Sequence, residues 1–306
     1  MQHPGSRGVE FAATALAAWV AWSDQASAAF GQPEPWQIGM QPAVTSVGQQ
    51  MIWFHDFLLY IIAGIVLVVF TLLAFVMARF NERANPTPGR ATHNTTVEVI
   101  WTVVPILILL AIAVPSFRLL FAQYNFPEAD LTIKATGHQW YWSYEYPDHD
   151  GVSFDAVMLE ESALKPGQPR LLATDNDVVV PVNKTVHVLV TASDVIHNWT
   201  VPAFGSKVDA VPGRLLRTWF KAERIGIYYG QCSELCGQRH AFMPISVRVV
   251  SEADFAAWLQ QAKAQARGDS SDPNTAPREH ANLVAGGSPE TGGGAEVRAA
   301  QLGGAD

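Results

Sequence analysis

The chain has 306 residues, a formal net charge of −8, 49% hydrophobic residues and only 16% charged ones. That acidic balance gives no sign of a nucleic-acid partner, and none is expected. The apolar residues are gathered into a few segments joined to a part that reads as soluble, which excludes both a wholly soluble and a wholly membrane-embedded protein.

The N-terminus carries Arg7, an apolar run from Phe11 to Trp22, and an A-x-A-like site at Ala26-Ser27-Ala28. This layout predicts a cleaved export signal over residues 1–29, since the run is too short to cross a bilayer comfortably. Two stronger apolar segments follow, Phe57 to Ala78 and Val99 to Phe117, neither containing a charge. Each is close to the ~20 residues that cross a hydrocarbon core. Pro105 and Pro115 in the second are compatible with a membrane helix. Arg79, Arg83 and Arg90 lie between the segments, whereas the flank before the first has Glu34 and Asp56. The positive-inside rule therefore makes residues 30–123 a two-helix transmembrane hairpin with its loop in the cytoplasm and both ends outside.

Residues 124–267 are expected to form one outer domain. Runs such as "LTIKATG", "QWYWSYEY", "DVVVPVNKTVHVLVTA", "DVIHNWTVP", "RTWFKAERIGIYYG" and "ISVRVV" are rich in valine, threonine and aromatics and are punctuated by Pro, Gly, Asn and Asp. They predict short strands in a sandwich or Greek-key barrel of about 120 residues. Ser251 with Asp254 opens an amphipathic helix, "EADFAAWLQQAKAQA". The Gly-, Ala-, Ser- and acid-rich stretch 268–306 is expected to be a disordered tail.

Chemistry concentrates in "GQCSELCGQRHAFMP", which holds both cysteines of the chain, Cys232 and Cys236, followed by His240 and Met243. In an oxidising outer compartment two cysteines suggest a disulfide. Two cysteines with His240 and the upstream His197 would also make an ordinary zinc set. Copper is the third reading. Met243 is useless to a disulfide and a poor zinc ligand, but a usual weak axial ligand in copper electron-transfer sites. One upstream His, then Cys, His and Met on a late loop, is also the order such sites use on β-barrels. Tyr228-Tyr229-Gly230, Gly237 and Pro244 argue that the ligands ride a loop between two strands.

This loop, together with "VIHNWTVPAFG" and "TGHQWYWSYEYP", resembles the dinuclear copper centre, CuA, of subunit II of cytochrome c oxidase, in its alphaproteobacterial aa3-type form. The resemblance runs from the signal region to about Ala264 and implies a cupredoxin-like barrel. It implies two copper ions bridged by Cys232 and Cys236, with His197 and His240 terminal, Met243 weakly axial and Glu234 contributing its backbone carbonyl. The Glu234 side chain would reach a magnesium or manganese ion shared with subunit I. Trp140, placed by "QWYW" on a strand, matches the tryptophan through which cytochrome c delivers its electron. Glu145, Asp155, Asp175 and Asp194 match acids used to dock that basic protein. Lys207 and Asp209 match contacts with subunit I, which carries haem a, haem a3 and CuB; subunit III is a further implied partner.

Glu98, at the start of the second apolar segment, reads as a capping box with Thr95. By resemblance it matches a glutamate at the cytoplasmic mouth of a proton channel. The function implied is the electron-accepting subunit of a proton-pumping terminal oxidase in a bacterial inner membrane, its copper domain in the periplasm. A copper-free quinol oxidase subunit lacks such ligands. A copper chaperone or thiol oxidoreductase using C-x-x-x-C would alternate helices with strands and lack the His and Met.

Overall fold

The computed structural model describes residues 31–87 and 89–268. The expected export signal, and the expected tail beyond Gly268, lie outside them. Two long helices come first, α1 (Ser46–Arg79) and α2 (Thr95–Tyr124). They pack against each other, and the apolar windows of both are without a buried residue, as a membrane-facing surface requires. Both are longer than the apolar runs at 57–78 and 99–117. At ~1.5 Å per residue α1 spans roughly 50 Å, so its first eleven or so residues stand clear of a hydrocarbon core ~30 Å thick.

Capping explains the boundaries. Thr45 caps α1: its hydroxyl accepts from the Gly48 N–H and donates to the Phe204 carbonyl of the outer domain, which ties the helix to the domain it carries. Asn94, rather than Thr95, caps α2, accepting from the Val97 N–H while its own N–H donates to the Glu98 carboxylate. The expected capping box is thus shifted by one residue, because an asparagine side chain closes the first turn as well as a threonine does.

The outer domain is built from β1 (Leu131–His138), β2 (Tyr141–Tyr146), β3 (Val152–Ala156), β4 (Val178–Pro181), β5 (Thr185–Ala192), β6 (His197–Val201), β7 (Ser206–Ala210), β8 (Leu216–Lys221), β9 (Gly226–Gln231) and β10 (Pro244–Val250). Its last element is α3 (Glu252–Ala266), capped by Ser251 as the sequence predicts. One sheet has the order β3-β2-β1-β5-β8, with β1 and β5 parallel; a second has β4-β10-β9, with β4 and β10 parallel. The ribbon β6-β7 touches both, β6 against β9 and β7 against β8, and so closes the barrel. At β6–β9 the chains approach so closely that a Cβ on Gly230 would stand 1.8 Å from the Thr200 carbonyl oxygen, a position only glycine can fill.

Alternation along each strand fills the core. Leu131, Ile133 and Ala135 of β1 point inward with Trp142, Tyr144 and Tyr146 of β2, and they meet Ile245, Val247 and Val249 of β10. Strands β3 and β7 were not among the predicted runs, since "VSFDA" and "SKVDA" are only five residues each, too short for their alternation to stand out. "QWYW" is divided as well: Gln139 and Trp140 form the two-residue turn between β1 and β2, so Trp140 is not on a strand.

Tyr146 joins the two sheets. Its buried hydroxyl donates to the Val179 carbonyl and accepts from the Val179 N–H, both at 2.9 Å. Tyr146→Phe would leave both backbone groups unpaired, costing about 1–3 kcal/mol. The expected result is a melting midpoint of the outer domain lowered by roughly 3–10 °C, followed by near-ultraviolet circular dichroism. An unchanged midpoint would mean that the two sheets do not depend on this bond.

Candidate metal centre

The segment between β9 and β10 leaves the barrel at Gln231 and returns at Pro244, with one 3-10 turn over His240–Phe242. Both thiols are free and buried, their sulfurs 3.8 Å apart. His197, the first residue of β6, brings Nδ1 to 3.9 Å from Cys232 Sγ. His240 brings Nδ1 to 3.5 Å from Cys236 Sγ, and Met243 Sδ is also 3.5 Å from that sulfur. The Glu234 carbonyl stands 3.3 Å from Cys232 Sγ. All six residues that the sequence proposed therefore converge. The donor atoms of His197, Cys232 and Cys236 alone lie within 4.8 Å of one another.

Surrounding residues prepare these donors. His197 is fully buried, and its Nε2 donates to Asp194 Oδ1 at 2.8 Å, which leaves Nδ1 as a free lone pair facing the sulfurs. Burial works against the Asp194 carboxylate, but hydrogen bonds from His197, Val195 and Gln139 hold its pKa below the usual carboxylate range. Burial also resists ionisation of both thiols. Hydrogen bonds with His197 and with the backbone of Glu234 and Asn198 nevertheless ease the first proton away, leaving Cys232 the readier thiolate. Cys236 is pushed the other way, by burial and then by the charge of Cys232. Two thiolates side by side need positive charge between them, which soft metal cations supply.

The β1–β2 turn covers the centre. Gln139 Nε2 and Trp140 Nε1 both donate to the Cys236 carbonyl, at 2.8 and 3.2 Å. Gly237 permits this contact: its φ is +117°, and a Cβ there would meet both side chains at 3.1 Å. Below the centre, Trp142 Nε1 donates to the Met243 carbonyl. Sequence reasoning missed Gln139 and the hold of Asp194 on His197. The spacing of Asp194 three residues before a ligand histidine was the available signal.

The remaining candidates lie elsewhere. Glu145 pairs with Lys134 at 3.1 Å. Asp155 accepts from Ser143 Oγ, and Asp175 from the Val157 and Asn176 N–H groups. Glu98 belongs to the far end of α2, and Lys207 and Asp209 are exposed on β7.

These features define a class: a β-barrel carried on two membrane-type helices, with a dithiol, dihistidine and thioether centre buried at one end. Comparison with known proteins makes the class a family. Residues 131–250 match the family model "Cytochrome C oxidase subunit II, periplasmic domain", and residues 33–119 match its "transmembrane domain". A probable cytochrome c oxidase subunit 2 of Rickettsia bellii is 54% identical over 78% of this chain and 90% of its own. Cytochrome c oxidase subunit 2 of Cereibacter sphaeroides is 50% identical over 85% of this chain and 89% of its own. The crystal structure of the periplasmic domain of subunit II of cytochrome oxidase of Bradyrhizobium japonicum is 59% identical, covering 45% of this chain and 97% of that one, with a TM-score of 0.43. The chain belongs to the cytochrome c oxidase subunit II family. It is a cupredoxin-like, membrane-anchored subunit of an oxidoreductase complex, in a family that binds CuA copper.

Gly137 tests the centre without touching a donor. A Cβ there would come within 2.8 Å of the His197 ring, which is pinned on its far side by Asp194. Gly137→Ala should displace the imidazole and lower bound metal at least several-fold, measured as metal per protein after dialysis. Full retention would show that His197 is not a required ligand.

Proposed function

We propose that this subunit receives electrons from cytochrome c at a dinuclear copper centre and hands them to haem in subunit I, where oxygen is reduced. The observation that carries this reading is the paired arrangement of donors. Each of two unbonded sulfurs has its own imidazole, His197 beside Cys232 and His240 beside Cys236. One tetrahedral zinc would not need the thioether of Met243, which lies 3.5 Å from Cys236 Sγ. The donor set fits two copper ions: Cys232 and Cys236 would bridge, His197 and His240 would terminate, and Met243 and the Glu234 carbonyl would cap weakly. When bound, the copper pair supplies a one-electron store shared over both sulfurs. The protein's part is to hold the donors rigidly and exclude water, which keeps reorganisation on electron exchange small. Met243 is 1% exposed and Cys236 3% exposed.

Trp140 is the point of arrival. Its indole is partly exposed and is hydrogen-bonded to the carbonyl of Cys236, a direct through-bond link to a bridging ligand. Glu145, Asp155, Asp175 and Asp194 supply the negative face that attracts a basic donor. The exposed Glu234 side chain would serve the magnesium or manganese ion shared with subunit I, alongside Lys207 and Asp209 as contacts to that subunit. Glu98 would admit protons from the cytoplasm, its carboxylate held by the Asn94 N–H. Subunit III completes the complex. The setting is a bacterial inner membrane with the copper domain in the periplasm.

Replacing Trp140 by glutamine should leave the copper spectrum and the affinity for cytochrome c almost unchanged, yet lower the electron-transfer rate at least tenfold in stopped-flow reduction. Transfer at the wild-type rate would remove Trp140 from the route. Met243→Leu should keep copper bound but change its potential, since a weak axial ligand tunes more than it binds. An unchanged potential would make Met243 a packing residue.

A further inference from the structure

On the outer face of the five-stranded sheet a hydrogen-bonded chain runs beside the Trp140 turn. Register sets Thr136 opposite Ser143 and Ser143 opposite Asp155, with His138 opposite Tyr141. The Ser143 hydroxyl donates to Asp155 Oδ1 at 2.5 Å, and His138 Nε2 is 3.0 Å from Ser143 Oγ. On the other side of the ring, Nδ1 is 2.8 Å from the Ser193 hydroxyl. Polarity follows from the carboxylate, which can only accept. Ser143 gives its proton to Asp155 and so accepts from His138 Nε2–H, and Nδ1 then accepts from Ser193. The neutral ring is fully satisfied. It is also stacked on Tyr141, with centroids 4.5 Å apart.

The protonated ring can be satisfied in the same place. Nδ1–H would donate to Ser193 Oγ, and the serine hydroxyl would turn to the Gly137 carbonyl, 3.5 Å away. One hydroxyl rotation therefore lets His138 gain a charge without moving. The titratable groups around it are Tyr141 on β2, Asp155 on β3, Asp194 before β6, and His197 on β6. Two of them, Asp155 and Asp194, belong to the acidic face assigned above to docking.

We infer that His138 sets the charge of this face. Neutral, it leaves Asp155 and Asp194 to attract a cationic electron donor; protonated, it cancels one of their charges and slows association, with the copper donors untouched. Burial lowers the pKa of His138, Asp194 and Asp155 pull it upward, His197 lowers it again, and the balance lies below the ordinary histidine value. Ordinary carboxylates titrate at about 4, so proton uptake by an imidazole is read in the window above them. The inference rests on the docking face proposed above and concerns how acidity regulates it.

The test uses the assembled oxidase and a basic cytochrome c, following the second-order rate of copper reduction by stopped flow from pH 8 to about 5, at low and at high ionic strength. A wild-type rate that falls on the order of 3-fold below pH 6.5 at low salt is expected, a fraction of the tenfold or more that whole-face steering supplies. The fall should vanish at high salt, where surface charge is screened. His138→Gln and His138→Asn, checked by their copper spectra, should hold the rate flat across this window. Asp155→Asn should lower the rate at every pH. A wild-type rate with no fall, or a fall that persists in the copper-loaded His138 variants, overturns the inference. A rate insensitive to salt and to Asp155→Asn at every pH would instead remove the docking face itself.

Discussion

Two buried cysteine sulfurs stand 3.8 Å apart, and as thiolates they would repel each other strongly; the loops that meet there are arranged around that constraint. Burial and then the charge of Cys232 hold the proton on Cys236, and a metal taking the place of the protons would relieve that opposition. The surrounding contacts reduce the work of reaching that state. Asp194 takes the Nε2–H of His197 and turns the lone pair of Nδ1 toward the sulfurs. The Cys232 N–H donates to the Met243 carbonyl at 3.4 Å, which closes the loop on itself. Such a site is tied in place from several sides, the property that the proposed electron carrier would need.

The barrel makes this possible by supplying three separate edges to one spot. The segment joining β9 and β10 brings both cysteines, His240 and Met243; β6 brings His197; the β1–β2 turn lays Gln139 and Trp140 over the Cys236 carbonyl. Glycines at 137 and 237 mark where these pieces come too close for a side chain. Outside the barrel, the domain is fastened to both helices. Thr45 links α1 to Phe204, and Trp219 Nε1 of β8 donates to the Gln123 carbonyl near the end of α2. These bonds hold the centre relative to the helices, as the proposed transfer to a partner in the same complex would require.

Much of this was legible in the residues. Apolar runs without charge announced both helices, and the six proposed ligands sat in two short motifs whose resemblance to a known centre assigned them. Helix ends were less legible, because Ser46–Asp56 and Arg118–Tyr124 continue each helix beyond the uncharged run with charged and polar residues mixed among apolar ones. Strands β3 and β7 escaped because one is at a sheet edge and the other in a two-stranded ribbon, where packing, not sequence pattern, fixes the extended chain. Trp140 was assigned to a strand because aromatics favour strands; its place in the turn depends on a partner, Cys236, nearly a hundred residues away. The same holds for Asp194 and Ser143, whose roles emerge only when distant strands come into register.

The most direct measurement is the metal content of the purified complex together with the electron paramagnetic resonance of this subunit. Two copper ions in this subunit, with one unpaired electron split by both nuclei, are predicted, and Cys232→Ser should abolish that shared signal because one sulfur cannot bridge as two do. A single zinc ion with no copper, or a signal from one copper nucleus alone, would contradict the account.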